Sequence, residues 1–346
     1  MASGPEVSVI VGAYSRERYL PFALRSLLSQ TLARNRFEIV VIKNFRSETI
    51  DAELEAAGAT VLFDNEPRIG RWLRHAVRAC RAPLVTFCDD DDEFEPSRLE
   101  RVLATFRQYP DLGFYRNRVR VIDRDGHPVP ENRWRRLERD GAMDTLGPIY
   151  RGREEKADLL DLLTVRLRAT FATSSMALRR ELLDGELGDA FERTQLEDLF
   201  LMMVGVLSPS GLFLDDQRLT RYRSYGGNVT RGVRWLGHAV ESERDLASVA
   251  ERHERPEFAR WLRARATNHE RLFLGGTLVA QIGAGAGRKE VAHRTSAYLR
   301  FLGRHPEERA WTLDTWAAGI YGAAYLAWPS VTRRVARARL AARGAS

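Results

Sequence analysis

Lysine is nearly absent from this chain of 346 residues. Only Lys43, Lys156 and Lys289 are lysine among 54 basic residues, and the other 51 are arginine. We read that skew first as a base-composition habit of the encoding genome and only second as recognition. Cysteine is as scarce. Cys80 and Cys88, each preceded by an apolar residue, cannot form a disulfide framework and read as core thiols in a reducing compartment. No stretch reaches the roughly 18 unbroken apolar residues that a membrane-spanning helix requires. The opening MASGPEVSVIVGAY has no basic segment ahead of its apolar run and no cleavage site, so no secretory signal is expected. A G-x-x-x-x-G-K-[ST] loop, a G-x-G-x-x-G after the first apolar run and a nucleophilic serine elbow are all missing. Those absences argue against P-loop, dinucleotide and acyl-transfer chemistry. The histidines at 75, 127, 238, 253, 269, 293 and 305 show no ligand spacing, so a His/Cys metal site is not expected.

What is present is an ordinary globular composition, 44% hydrophobic and 29% charged. The length allows one large α/β domain with an appendage, or two domains, with a sizeable core. The net charge of +7 invites a polyanionic partner. The arginines are dispersed and not interleaved with aromatics, however, so nucleic acid is set aside.

The first hundred residues alternate regularly. β-Branched runs at 7–11, 37–42, 60–63 and 84–88 read as strands, and apolar stripes at 18–30, 50–57 and 72–80 as helices. That order with short loops predicts an α/β fold, a mostly parallel sheet with helices on both faces. The polar residues after Val11, Ile42 and Cys88 should then converge on one crevice beyond the strands' carboxyl ends. Further on, 96–109, 159–167 and 197–207 read as helix, 114–122 and 168–178 as strand, and 123–150 as a long loop or inserted hairpin. From about residue 235 everything is Ala-, Leu- and Arg-rich and helical by propensity. A boundary near 232 gives domains 1–231 and 232–346.

The strongest local feature is Asp89-Asp90-Asp91-Asp92-Glu93, directly after an apolar strand. Adjacent carboxylates repel one another, and a hard divalent cation, Mn²⁺ or Mg²⁺, removes that cost while bridging to the phosphates of a nucleotide. A solvated acidic turn is the plain alternative, but this run stands where α/β sheets bind ligands.

Taken together, VSVIVGAYSRERYLPFALRSLLSQT, FEIVVI and PLVTFCDDDDEFEPSRLE resemble family 2 glycosyltransferases of the GT-A fold. Leu196-Glu197-Asp198-Leu199-Phe200 is similar to that family's acceptor-side motif. Tyr222-Arg223-Ser224-Tyr225-Gly226-Gly227-Asn228-Val229-Thr230 is similar to its closing motif. The resemblance covers about residues 5–231 and implies an inverting transfer from a nucleoside diphosphate sugar, UDP-sugar favoured, to a glycan or lipid-linked acceptor. It implies that Gly12 and Tyr14 hold the nucleobase, and that Asn44 accepts the base's imide proton where the family usually carries an acid. Arg68 would lie near the nucleotide, Asp89 or Asp90 on the ribose, and Asp91 on the metal with Asp92 in support. Asp198 would be the general base, ahead of Glu197; the plain reading of both is helix N-terminal capping. Tyr225 stands where many members carry a histidine.

Two other functions fit fewer residues. A nucleotidyltransferase would carry a glycine-rich phosphate loop after the first strand, and Gly12-Ala13-Tyr14-Ser15-Arg16 is too poor in glycine. A non-catalytic nucleotide-sugar binder is suggested by Lys43-Asn44 standing in place of Asp-Asp. Near the C-terminus, residues 315–331 carry no charge and four aromatics, Trp316, Tyr321, Tyr325 and Trp328; Arg333, Arg334, Arg337 and Arg339 follow. Two readings stay open for 315–339: a helix packed on the protein with a solvated basic tail, or a peripheral contact on the cytoplasmic membrane face. The expected location is accordingly cytoplasmic, or peripheral on that face.

Overall fold

A computed structural model describes residues 4–130, 147–152, 159–163, 172–225, 233–305 and 313–344. The chain divides into two compact units, residues 1–228 with 248–258, and residues 229–247 with 259–346.

The first unit is an α/β fold built on β1 (Val7–Ala13), β2 (Phe37–Lys43), β3 (Thr60–Phe63) and β4 (Leu84–Asp89). These pair in parallel in the order β3-β2-β1-β4. Val7, Val9, Ile10, Ile39, Val40 and Val41 are all buried, as strands covered on both faces require. Between them run α1 (Leu20–Leu28), α2 (Glu48–Ala56) and α3 (Ile69–Ala79). β5 (Glu93–Phe94), α4 (Arg98–Gln108), β6 (Leu112–Ile122), β7 (Ile149–Arg151), β8 (Met176–Arg179), α5 (Gly185–Arg193), α6 (Glu197–Leu207) and β9 (Gly211–Arg223) follow. The sheet continues β4-β8-β6-β9-β5, with β7 also on β9. β8 is antiparallel to β4 and β6, while β6 and β9 run parallel.

The helices divide between the two faces. Leu24 and Leu27 of α1, Leu54 of α2 and Leu99 and Val102 of α4 share one core with Val9, Val11, Ile39 and Val41. α3 covers the other face of β1, where a Cβ on Gly12 would lie 3.0 Å from the Trp72 indole. α6 lies on β6 so closely that a Cβ on Gly205 would stand 2.5 Å from Phe114 Cγ. Because the chain goes β1 to β2 on one side and returns to β4 on the other, the sheet's switch point falls between β1 and β4. Gly12 is there level with Ile42 and with Asp89, the position where α/β sheets hold ligands.

The middle of the chain departs from the sequence reading. Strand was expected over 168–178, but the described part begins with a 3-10 turn, Thr173–Ser175, entered through Ala172 at φ +64°, and only Met176–Arg179 is strand. Residues 168–171 lie outside the described residues, as do 131–146 of the expected loop and 164–167 of the expected helix. β9 and α5 were not foreseen.

The second unit is helical: α7 (Val233–Arg252), α8 (Pro256–Ala284), α9 (Arg288–Arg304), α10 (Leu313–Ala327) and α11 (Pro329–Gly344). α7 and α8 also contribute residues 248–258 to the first unit. Its core gathers Leu278, Ile282, Val291, Tyr298, Phe301, Tyr325 and Ala336. The small residues of α10 allow close approach: a Cβ on Gly322 would lie 2.1 Å from Thr295 Oγ1.

One glycine tests the helix packing of the first unit. A Cβ on Gly70 of α3 would stand 1.8 Å from the Phe191 carbonyl oxygen of α5. Gly70→Ala is expected to cost about 1–3 kcal/mol or more in urea unfolding, because backbone must move. Gly303→Ala, where nothing lies within 4 Å, should be neutral or stabilise by up to about 1 kcal/mol.

Candidate active site

The switch point is lined first by the end of β1. Gly12 leaves room for Trp72, and Tyr14 meets the same indole edge-on at 5.6 Å between ring centres. Tyr14 remains 38% exposed. Ser15 follows in the left-handed region at φ +57°. Asn44, at the end of neighbouring β2, pins that turn: its Oδ1 accepts from the Ser15 N–H at 2.6 Å and its Nδ2 donates to Ser15 Oγ at 3.0 Å. Lys43 is buried and pairs with Asp51 at 2.5 Å, so it braces β2 against α2. Arg68 starts α3, the helix that carries Trp72; its backbone N–H bonds Glu66 at 3.0 Å and its side chain is exposed.

Each member of the acidic run meets different groups. Asp89 closes β4, its N–H donating to Ser174 Oγ at 3.0 Å. The Asp90 carboxylate is wholly buried and meets Arg16 Nη2 at 2.5 Å. Asp91 Oδ2 accepts from Arg16 Nη1 at 2.6 Å and from the Tyr225 hydroxyl at 3.0 Å. Both oxygens of Asp92 are held inside the fold, one by the Arg223 N–H at 2.9 Å and the other by Ser174 Oγ at 2.6 Å. Glu93 pairs with Arg221 and Arg223. Asp92 is therefore a brace between β4, the Thr173–Ser175 turn and β9, which leaves Asp91 as the better candidate for a cation.

The second acidic motif arrives on α6. Asp198 Oδ1 accepts from the Leu199 N–H at 2.7 Å, the local bond of a helix first turn. Burial, then Asp198 and Asp89, push Glu197 up to about 8. Burial, then Asp91 and Asp198, push Asp89 up to about 7 against the pull of Arg16. Burial also raises Asp90, Asp92 and the Tyr222 phenol, while the carboxylates around Arg16 outweigh its own burial and raise it. Asp89, Asp91 and the Glu197-Asp198 pair thus share one electrostatic environment. Ring burial, reinforced by Asp91, takes Tyr225 up to about 12. Of the closing motif, 226–230 lie outside the described residues.

Sequence reasoning gave no role to Arg16, Ser174 or Arg223. Arg16 carried one usable signal, a basic residue just past the first strand of a sheet that ends in acids. Among the described residues no group of three or more His, Cys, Asp or Glu side chains is gathered to enclose a metal ion.

A family model, Glycosyl transferase family 2, matches residues 8–184, just over half of the chain. The chain belongs to glycosyl transferase family 2. An "Uncharacterized glycosyltransferase" of Haemophilus influenzae is 30% identical over 110 residues, 31% of this chain and 37% of that protein. The "Putative glycosyltransferase EpsH" of Bacillus subtilis is 28% identical over 116 residues, 31% of this chain and 32% of that protein. The matched stretch spans about a third of these curated relatives. The crystal structure of S. aureus TarS 1–349 in complex with UDP-GlcNAc aligns with TM-score 0.56 at 16% identity, over 96% of this chain and 89% of that one. The fold is GT-A-type α/β, followed by a helical region.

The raised carboxyls fix a pH dependence. Asp89 and Glu197 titrate above ordinary unfolded values near 4, so between about pH 4 and pH 8 the folded chain binds more protons than the unfolded one. Their contribution to stability therefore falls as pH rises through that window. Asp89→Asn should match wild type near pH 4 and exceed it by roughly 1–3 kcal/mol near pH 8.5, after allowance for solvent screening. Thermal melts at both pH values decide it; a variant less stable than wild type at the higher pH sinks the assignment.

Proposed function

We propose that the protein is an inverting, cation-assisted glycosyltransferase that moves a sugar from a nucleoside diphosphate sugar to an acceptor hydroxyl. The observation that carries this is the meeting of two acidic motifs, the run after β4 and Glu197-Asp198, at the β1/β4 switch point. In this reading residues 1–231 perform the transfer and 232–346 form a helical C-terminal region.

Inversion needs a base on the acceptor side and positive charge on the leaving-group side. Asp198 is the base: its carboxylate takes the acceptor hydroxyl proton as the new bond to the anomeric carbon forms. Glu197, holding its own proton to about pH 8, is a poor base at neutral pH and serves as a hydrogen-bond donor beside it. Asp89 or Asp90 holds the ribose. Tyr14 stacks on the base, Gly12 lets the backbone approach it, and the fixed Asn44 amide offers its remaining acceptor capacity to the base edge. Arg68 reaches the outer side of the nucleotide. Arg16 keeps its charge under all ordinary conditions and faces the diphosphate side of the crevice.

Asp91 would hold Mn²⁺ or Mg²⁺. The hard oxygens of Asp89 and Asp91 suit such an ion, which commonly takes only one or two carboxylates and completes its shell from water and substrate phosphates. When bound, it neutralises charge developing on the departing diphosphate. UDP-sugars are the first donors to test, since TarS, of similar fold, was crystallised with UDP-GlcNAc. The acceptor is a glycan or lipid-linked hydroxyl of the cell envelope, met on the cytoplasmic side.

Asp198→Asn should keep the donor-induced thermal shift while transfer falls on the order of 10²-fold or more. Transfer at the wild-type rate would move the base elsewhere. Excess chelator should abolish the thermal shift given by UDP-sugar; an undiminished shift removes the cation from Asp91.

A further inference from the structure

Helices α10 and α11 have two faces of different character. On the inner face Ala318, Tyr325 and Ala336 belong to the core of the helical unit, and Tyr321 packs against it. The Tyr325 hydroxyl donates to the Ala286 carbonyl at 2.6 Å and accepts from Arg333 Nη2 at 2.9 Å. Two of the four aromatics that the sequence offered to a membrane are thus structural, and the Trp316 side chain, like that of Arg339, lies outside the described residues.

Away from that core these helices expose large apolar side chains. Ile320 is 58% exposed, Trp328 67%, Val331 62% and Val335 46%. Ala323 and Ala327 are exposed between them. Val331 and Val335 fall at i and i+4 on α11, and Trp328 stands just ahead of that helix, its carbonyl accepting from the Thr332 N–H at 3.1 Å. Leu299 of α9 borders α10, its Cδ2 lying 3.3 Å from where a Cβ on Gly319 would stand. Arg334 and Arg337 of α11 are also exposed. No Asp or Glu occurs after Asp314.

We propose that this face docks on an anionic lipid bilayer, with Trp328, Val331, Val335 and Ile320 entering the headgroup layer and Arg334 beside them on the lipid phosphates. Large apolar side chains gathered on one exposed face are unfavourable in water and mark an interaction surface. Tryptophan favours the headgroup level, and each arginine near an anionic surface adds attraction. Contact lies in the plane of the membrane, since no described helix is long and apolar enough to cross one. A second copy is the poorer occupant. A two-fold interface would bring Arg334 and Arg337 toward their own copies with no acid on the face to pair them.

Co-sedimentation of the full chain with phosphatidylglycerol/phosphatidylcholine vesicles tests this without any sugar substrate, so its failure leaves the transfer reading intact and the reverse also holds. Wild type should bind mixed vesicles at low salt, lose most binding at high salt, and ignore pure phosphatidylcholine. The triple variant Trp328→Ser, Val331→Ser, Val335→Ser, its melting temperature unchanged because all three side chains are exposed, should bind at least about tenfold more weakly. Arg334→Gln should bind about fivefold more weakly. No wild-type binding at low salt, or equal binding by the triple variant, overturns the proposal. So does a dimer in light scattering that the triple variant dissociates while vesicles are left unbound.

Discussion

Carboxylates buried side by side are the constraint on which the rest of the first unit depends. Asp90 and Asp92 are fully enclosed at the end of β4, and an unpaired charge in such a place costs several kcal/mol. The chain answers from three distant segments. Arg16, from the turn after β1, meets Asp90; Ser174, from the 3-10 turn before β8, and the Arg223 N–H, near the end of β9, hold Asp92; and the Arg221 and Arg223 side chains take the adjoining Glu93. Each of these must itself be fixed. Asn44 locks the turn that carries Arg16. Arg223 is held between the Asp91 and Asp123 carbonyls, over the Tyr19 ring. The register that brings the end of β9 beside β5 is therefore a condition for tolerating the acidic run at all.

That bracing sorts five chemically similar side chains into different duties. Asp92 and Glu93 turn toward arginine and serine and hold the sheet's end together. Asp91 is held by Arg16 and Tyr225, and Asp89 feels the charges of Asp91 and Asp198. Position in the run alone does not decide between ribose, cation and structure.

The first half of the first unit was legible because its strands are continuous β-branched runs and its helices keep a clean apolar stripe. β9 was not, because its centre reads Asp215-Asp216-Gln217-Arg218, the composition of a loop. In the fold Asp215 is buried, bound by Arg101 at 2.7 Å and by the Tyr115 hydroxyl at 2.8 Å. Nothing local announces partners so far away in the chain. The Thr173–Ser175 turn was read as strand for a related reason: its apolar flanks fit a strand, while the Ser174 hydroxyl is directed to Asp89 and Asp92. The acidic motifs stood out as sequence, and their meeting required the sheet. In the helical unit the glycines and alanines of 315–331 looked like a diluted apolar span. They are what lets α10 approach Thr295 and Leu299 closely.

Cys80 and Cys88 are both buried free thiols. Burial pushes Cys80 up to about 12 and Cys88 well above its ordinary range, so neither presents the thiolate that alkylating agents and peroxide attack. The native chain is thereby a silent background for maleimide chemistry. A single cysteine introduced at exposed Ser330 would carry a spin label or fluorophore alone, and no wild-type residue would need to be removed first.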